Sequence, residues 1–134
     1  MKLSSRTTTA IKMFIDLGEH YEEGFISLVD IAKRKELSKK FLEQIVPLYK
    51  TNNLLLGNRG NQGGYRLSKA PNQISLKDIV SISELSLEKT SYSDSTITSI
   101  TNDLDNLLDS YLEKMTLDKL IELEQSQYLN SYCI

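Results

Sequence analysis

The residues whose types and spacing could do chemistry lie in Gly57-Asn58-Arg59-Gly60-Asn61-Gln62-Gly63-Gly64-Tyr65-Arg66-Leu67. This glycine-rich tip sits between short apolar runs and carries an arginine at each shoulder. Glycines allow positive φ at a tight hairpin tip and leave the backbone open to close approach. Guanidinium groups beside that opening suit a phosphate or a minor groove. A glycine-rich hairpin alone is only a turn. This one follows two short helical patterns, so helix, helix and hairpin arrive in the order of a winged helix-turn-helix, and it reads as a DNA-binding wing. Other chemistry is scarce. One histidine (His20), one cysteine (Cys133) and no nucleotide-binding loop leave little from which to build a catalytic site. A single cysteine excludes an intramolecular disulfide and any metal or cluster site made of several thiolates from one chain. No metal site or cofactor is expected.

The elements that must hold the wing follow from periodicity and caps. Ala10, Ile11, Phe14, Ile15 and Leu17 share one face of a first helix, with Gly18 as its expected C-cap. Ser27 caps a second helix that stops near Glu36. Ser38 caps a third, Lys39 to Lys50, whose predicted buried face is Phe41, Leu42, Ile45, Leu48 and Tyr49. Pro47 should kink or loosen it, and Asn53 should end it in the left-handed region. Leu54–Leu56 and Gly64–Leu67 are the wing strands. Pro71 breaks the chain and Ser75 caps a fourth helix with Leu76, Ile79, Val80 and Ile82.

Residues 85–98 read as a linker between a DNA-binding domain, 1–84, and a dimerisation helix with a tail, 99–134. The strongest helical repeat in the chain runs through Ile97, Ile100, Leu104, Leu107, Leu108, Tyr111, Leu112 and Met115. It is too long and too apolar for a head of this size to cover, and reads as a dimerisation helix built on Ile100, Leu104, Leu107, Leu108, Tyr111 and Leu112. Thr116 caps a last short helix, Leu117 to Leu123, before a polar tail. The fold class expected is mainly α with a small β-hairpin wing.

Charge divides the 134-residue chain. Residues 1–70 hold 12 Lys+Arg against 7 Asp+Glu, whereas residues 71–134 hold 4 against 11. All four arginines, Arg6, Arg34, Arg59 and Arg66, lie in the first half. A basic head on an acidic body suits a protein with one end on a polyanion and the other on protein. No apolar run approaches the ~18 residues needed to span a bilayer, and the N-terminus lacks a signal-peptide core. Cytoplasmic residence is the expectation.

Ser38-Lys39-Lys40-Phe41-Leu42-Glu43-Gln44-Ile45, with Arg59-Gly60-x-x-Gly63-Gly64-Tyr65-Arg66-Leu67, resembles the core signature of the Rrf-two-type regulators. The resemblance covers nearly the whole chain. It implies dimeric transcription factors that place helix three in the major groove of a palindromic operator and the wing along the minor groove. Carried over by position, Ser38, Lys39, Lys40, Glu43 and Gln44 face DNA. Arg59 enters or flanks the minor groove with Gly60, Gly63, Gly64 and Tyr65, and Arg6 replaces a contact that Thr8 and Thr9 do not offer. The chemistry agrees: Gln bonds adenine in two places, Glu accepts from cytosine N4, and lysines hold phosphate. For these helix residues a solvated face is the plain alternative, and the wing decides against it.

Cluster-bearing members carry three cysteines between the fourth helix and the dimerisation helix, where Leu85 to Ile97 has none. The resemblance therefore points to the cluster-free, CymR-like repressors of cysteine metabolism. It also implies a partner, O-acetylserine thiol-lyase. The ending Tyr132-Cys133-Ile134 resembles tails that enter that enzyme's active site, with Tyr132 and Ile134 as the contacting residues. Two other functions stay open at this point: a thiol sensor using Cys133, and a winged-helix module that binds only protein.

Overall fold

The computed structural model describes residues 1–60, 63–84 and 91–132. The head is a three-helix core with a hairpin on its flank. Helix α1 (Ser5–Glu19) is capped by Ser4, whose hydroxyl accepts from the Thr7 amide. Helix α2 (Leu28–Lys35) and helix α3 (Lys39–Thr51) are capped the same way, with Ser27 accepting from Asp30 and Ser38 accepting from Phe41. Each cap satisfies an amide that the first turn leaves without a partner. Between α2 and α3 the chain reverses through Glu36, at φ 54°.

The buried face of α1, Ala10, Met13, Phe14 and Leu17, meets Ile31, Leu42, Ile45 and Tyr49 in one core. The Phe14 ring packs edge-on to Tyr49 at 4.9 Å, and the Tyr49 hydroxyl donates to the Ile79 carbonyl at 2.8 Å. Leu42, Ile45 and Tyr49 are buried as the pattern predicts, joined by Val46, while Phe41 and Leu48 are only partly covered. Pro47 does not end α3. The carbonyl it leaves free is that of Glu43, on the exposed face, where water can serve it. Asn53 takes the predicted left-handed conformation at φ 60°, and Leu54 closes the turn by donating to the Tyr49 carbonyl at 2.9 Å.

Strands β1 (Leu55–Asn58) and β2 (Gly64–Leu67) pair antiparallel with Leu55 opposite Leu67 and Asn58 opposite Gly64. A short turn, Pro71–Gln73, leads to helix α4 (Leu76–Ser83), where Ser75 and Asp78 form a capping box. Helix α5 (Ser95–Lys114) begins at the cap Asp94, so 95–98 are helical and the linker expected over 85–98 is shorter. Residues 85–90 lie outside the described part of that linker.

Two expectations are corrected at α1 and α6. Gly18 does not cap α1, which continues to Glu19. A Cβ at Gly18 would lie 2.7 Å from Ile121 Cδ1, so glycine lets helix α6 (Leu117–Tyr132) approach. That last helix is the second correction. It does not stop at Leu123 but runs on to Tyr132, through the residues read as a polar tail. Leu117 and Leu120 join the core, and the Leu117 amide donates to the Ile74 carbonyl at 2.8 Å.

Candidate nucleic-acid interface

Lys39, Lys40, Glu43 and Gln44 are all exposed. Steps of one and four residues set them on one stripe of α3, opposite Leu42, Ile45 and Tyr49. Lys39 Nζ lies 3.4 Å from Glu43 Oε1, one turn away. Such an exposed pair contributes a few tenths of a kcal/mol and gives way readily to a stronger partner. Lys40 has no ion pair among the described residues. Ser38 Oγ is already engaged as the α3 cap, 3.2 Å from the Phe41 amide, so its contribution at the surface is to fix where the stripe begins.

The wing follows α3 and meets the C-terminal end of that helix at Lys50. Gly60 has φ 109°, a conformation that side chains with a Cβ avoid. The Gly63 amide donates to the Gly60 carbonyl at 2.9 Å, and a Cβ on Gly63 would meet the Asn58 carbonyl at 2.6 Å. These two glycines close the tip, with residues 61–62 outside the described chain, and Arg59 is exposed at its shoulder. Gly64 and Tyr65 also have a structural task at the base of the wing. Ile26 and Tyr65 exchange two backbone hydrogen bonds of 2.8 Å, tying β2 to the α1–α2 connection. Gly64 permits this, because its Cβ would sit 2.2 Å from the Ile26 carbonyl oxygen. The Tyr65 ring is partly buried, with Lys50 Nζ 5.9 Å from its centroid. Gly64 and Tyr65 thus hold the base of the wing to the head.

Of the four arginines, two are engaged inside the protein. Arg34 grips Asp16 with two hydrogen bonds of 2.8 Å, and Asp16 is fully buried. The hydrogen bond with Asp16 raises the Arg34 pKa. Arg66 lies over the rings of Tyr21 and Phe25. Arg59 remains at the wing tip, and Arg6 is exposed in the first turn of α1.

Sequence reasoning missed the polar ties between elements. Lys35 donates to both Glu19 and Glu124 at 2.8 Å, bolting α2 to α1 and α6. Burial opposes its charge, but the two carboxylates outweigh it and its pKa is raised. Thr7 Oγ1 and Ser83 Oγ share a buried hydrogen bond of 2.8 Å, and the Ser4 amide donates to Glu84 at 2.8 Å, joining α1 to α4. These pairs are separated by 16 to 89 residues. The only local hint was the run of threonines in the first turn of α1.

On α5 the stripe Ile97, Ile100, Leu104, Leu107 and Tyr111 recurs at alternating steps of three and four, the spacing of a helix-pairing seam. All five are exposed, Leu107 by 68%. Leu108 is half-covered, whereas Leu112 is 7% exposed and turned into its own protomer. Leu112 is therefore a core residue, which corrects its expected place in the seam. Tyr132 ends α6, and Cys133 and Ile134 lie outside the described residues.

Comparison with known proteins settles the class. The family model Rrf2, described as an iron-dependent transcriptional regulator, matches residues 3–123. The chain belongs to the Rrf2 family. It is 30% identical over 130 residues to the HTH-type transcriptional regulator IscR of Pectobacterium carotovorum, covering 90% of this chain and 79% of that one. Among solved structures it is similar to T. potens IscR, with TM-score 0.79, 30% identity and coverage of 91% and 87%. It is also similar to CymR, the global cysteine regulator of B. subtilis, with TM-score 0.83, 25% identity and coverage of 92% and 98%. The Rrf2 chain described above is a DNA-binding transcriptional regulator with a winged helix-turn-helix. Among the described residues no helix is long and apolar enough to cross a membrane.

Proposed function

We propose that this Rrf2 regulator is a homodimeric repressor that reads a palindromic operator with α3 and the wing, without an iron–sulfur cluster. The observation that carries the reading is the exposed α3 stripe, Lys39, Lys40, Glu43 and Gln44, on the helix that leads into a wing whose base is bonded to the head at Ile26–Tyr65. Lysines hold phosphates, Gln44 reads a base edge in the major groove, and Arg59 reaches the minor groove. The exposed α5 seam supplies the dimer that a palindrome requires. The domains then divide as 1–84 for DNA, 85–98 for the connection and its helical start, and 99–134 for the dimerisation helix and the C-terminal segment, of which α6 packs back on the head.

The donor set does not fit an iron–sulfur cluster. Such clusters are held by several thiolates, and this chain has one, Cys133. Among the described residues no group of three or more His, Cys, Asp or Glu is placed to hold a metal ion. A cluster-free regulator takes its signal from elsewhere. The likeness to CymR supports cysteine or sulfur metabolism as the regulon. O-acetylserine thiol-lyase is proposed as the partner of Tyr132 and Ile134, on the resemblance of the sequence Tyr132-Cys133-Ile134 alone.

The test is sequencing of genomic fragments retained by the purified protein at ~150 mM salt, where nonspecific binding is weak, with and without the lyase. Palindromic fragments upstream of sulfur genes, with retention altered by the lyase, are expected. Specific fragments upstream of unrelated genes, indifferent to the lyase, would discard the cysteine reading and keep the transcription factor.

A further inference from the structure

Arg66 is set differently from Arg59: it is partly buried, whereas Arg59 is exposed. Strand residues alternate sides. Tyr65 faces the body of the head, where Lys50 lies over its ring, so Arg66 projects from the opposite face of the hairpin. There its guanidinium carbon lies 5.8 Å from the Tyr21 ring centroid and 5.7 Å from that of Phe25. Both rings belong to the α1–α2 connection. The Arg66 Nε is buried and bonded to nothing among the described residues. The side chain is thus committed to two ring faces, to which a planar, weakly hydrated guanidinium is suited.

The rest of the attachment shows why this matters. Among the described residues, the wing meets the α1–α2 connection through one backbone pair, Ile26 with Tyr65. Leu54, Leu55 and Leu67 bury the core-facing side of the hairpin base, so the opposite face, where Arg66 projects, is the side on which the angle of the wing has still to be braced. The tip lies four residues beyond Leu56, the partner of Arg66, which is about 14 Å at ~3.4 Å per residue. A small tilt at the base is therefore a large displacement at Arg59.

We propose that Arg66 is a positioning residue for DNA recognition. Clamped over Tyr21 and Phe25, it sets the angle of the wing and so the reach of Arg59 into the minor groove, without itself touching DNA. This rests on the reading that Arg59 contacts DNA.

The test is a double-mutant cycle on a duplex selected by the wild-type protein from a random-sequence library. Arg59→Ala should weaken binding roughly tenfold and flatten the salt dependence by about one ion. Arg66→Ala should do the same alone, yet cost less than about twofold when added to Arg59→Ala, because the contact it serves is already gone. Arg66→Lys keeps the charge and loses the planar stack, so it should behave as Arg66→Ala. Phe25→Leu, which removes one ring and leaves the arginine, should weaken wild type and leave Arg59→Ala unaffected. Affinities are referred to the folded fraction read by circular dichroism, and Phe25→Leu carries the cycle if Arg66→Ala does not fold.

Additive losses, or full activity of Arg66→Lys, would make Arg66 a direct phosphate contact and overturn the proposal. No loss from Arg66→Ala or Phe25→Leu would overturn it too. Arg59→Ala without effect would instead remove the wing from the DNA reading and this inference with it.

Discussion

Gly64 and Gly18 both lie under a neighbour, and the nature of that neighbour decides what each tolerates. A Cβ on Gly64 meets a backbone carbonyl, Ile26 O, held by two hydrogen bonds. A Cβ on Gly18 meets the terminal methyl of Ile121, which can swing aside, and alanine inside a helix gains about 1 kcal/mol over glycine. Gly64→Ala should therefore cost at least the roughly 1–3 kcal/mol typical of overpacking. Gly18→Ala should change stability by no more than about 1 kcal/mol. Urea unfolding of the two variants separates them.

Tyr49 gives a pH signature at the same scale. Burial raises its pKa above the usual tyrosine value. A raised folded-state pKa means stability that is complete below the unfolded value, about 10, and lost as pH climbs through the folded value. Tyr49→Phe forfeits the bond to the Ile79 carbonyl, about 1 kcal/mol at neutral pH. Its deficit against wild type should shrink above about pH 10, as thermal melts at neutral and alkaline pH would show. For DNA, Gln44→Ala should change which bases are preferred more than it changes overall affinity, a difference that selection from a random library reports.

Helix α5 offers two leucines five residues apart with opposite fates. Leu107 is 68% exposed on the seam and Leu112 is buried in the protomer. Leu107→Asp should leave the head folded and shift the protein to monomers. Leu112→Ala should cost the protomer about 2–5 kcal/mol as a core truncation. Sedimentation together with urea unfolding distinguishes the two. The sequence placed both in one apolar repeat, since periodicity reports a face and not which neighbour covers it. Caps at Ser27, Ser38 and Ser75, the left-handed Asn53 and the hairpin were legible because each is set by residues within a few positions. The extent of α6 was not, because beyond Leu123 the chain is largely polar and its residues through 129 are mostly exposed. Nor were the Asp16–Arg34 grip and the Lys35 bolt, whose partners are distant in sequence and share no period.

Across the whole molecule the charge division persists, but its use differs from a simple count. The basic head spends Arg34 and Lys35 on internal carboxylates and Arg66 on aromatic rings. The charge left for a polyanion includes Lys39 and Lys40 on the α3 stripe and Arg59 at the tip of the wing, with further exposed lysines elsewhere on the head. The acidic half carries the exposed α5 seam that would join two such heads. A dimer matched to a two-fold operator gains from both heads at once, since the second binds at high effective concentration.

The most direct test of that claim is sedimentation of the protein with a labelled palindromic duplex, and with a single half-site, at ~150 mM salt. The account predicts complexes holding an even number of chains and affinity for the palindrome at least about 100-fold above the half-site. One chain per duplex with equal affinity for both would contradict it.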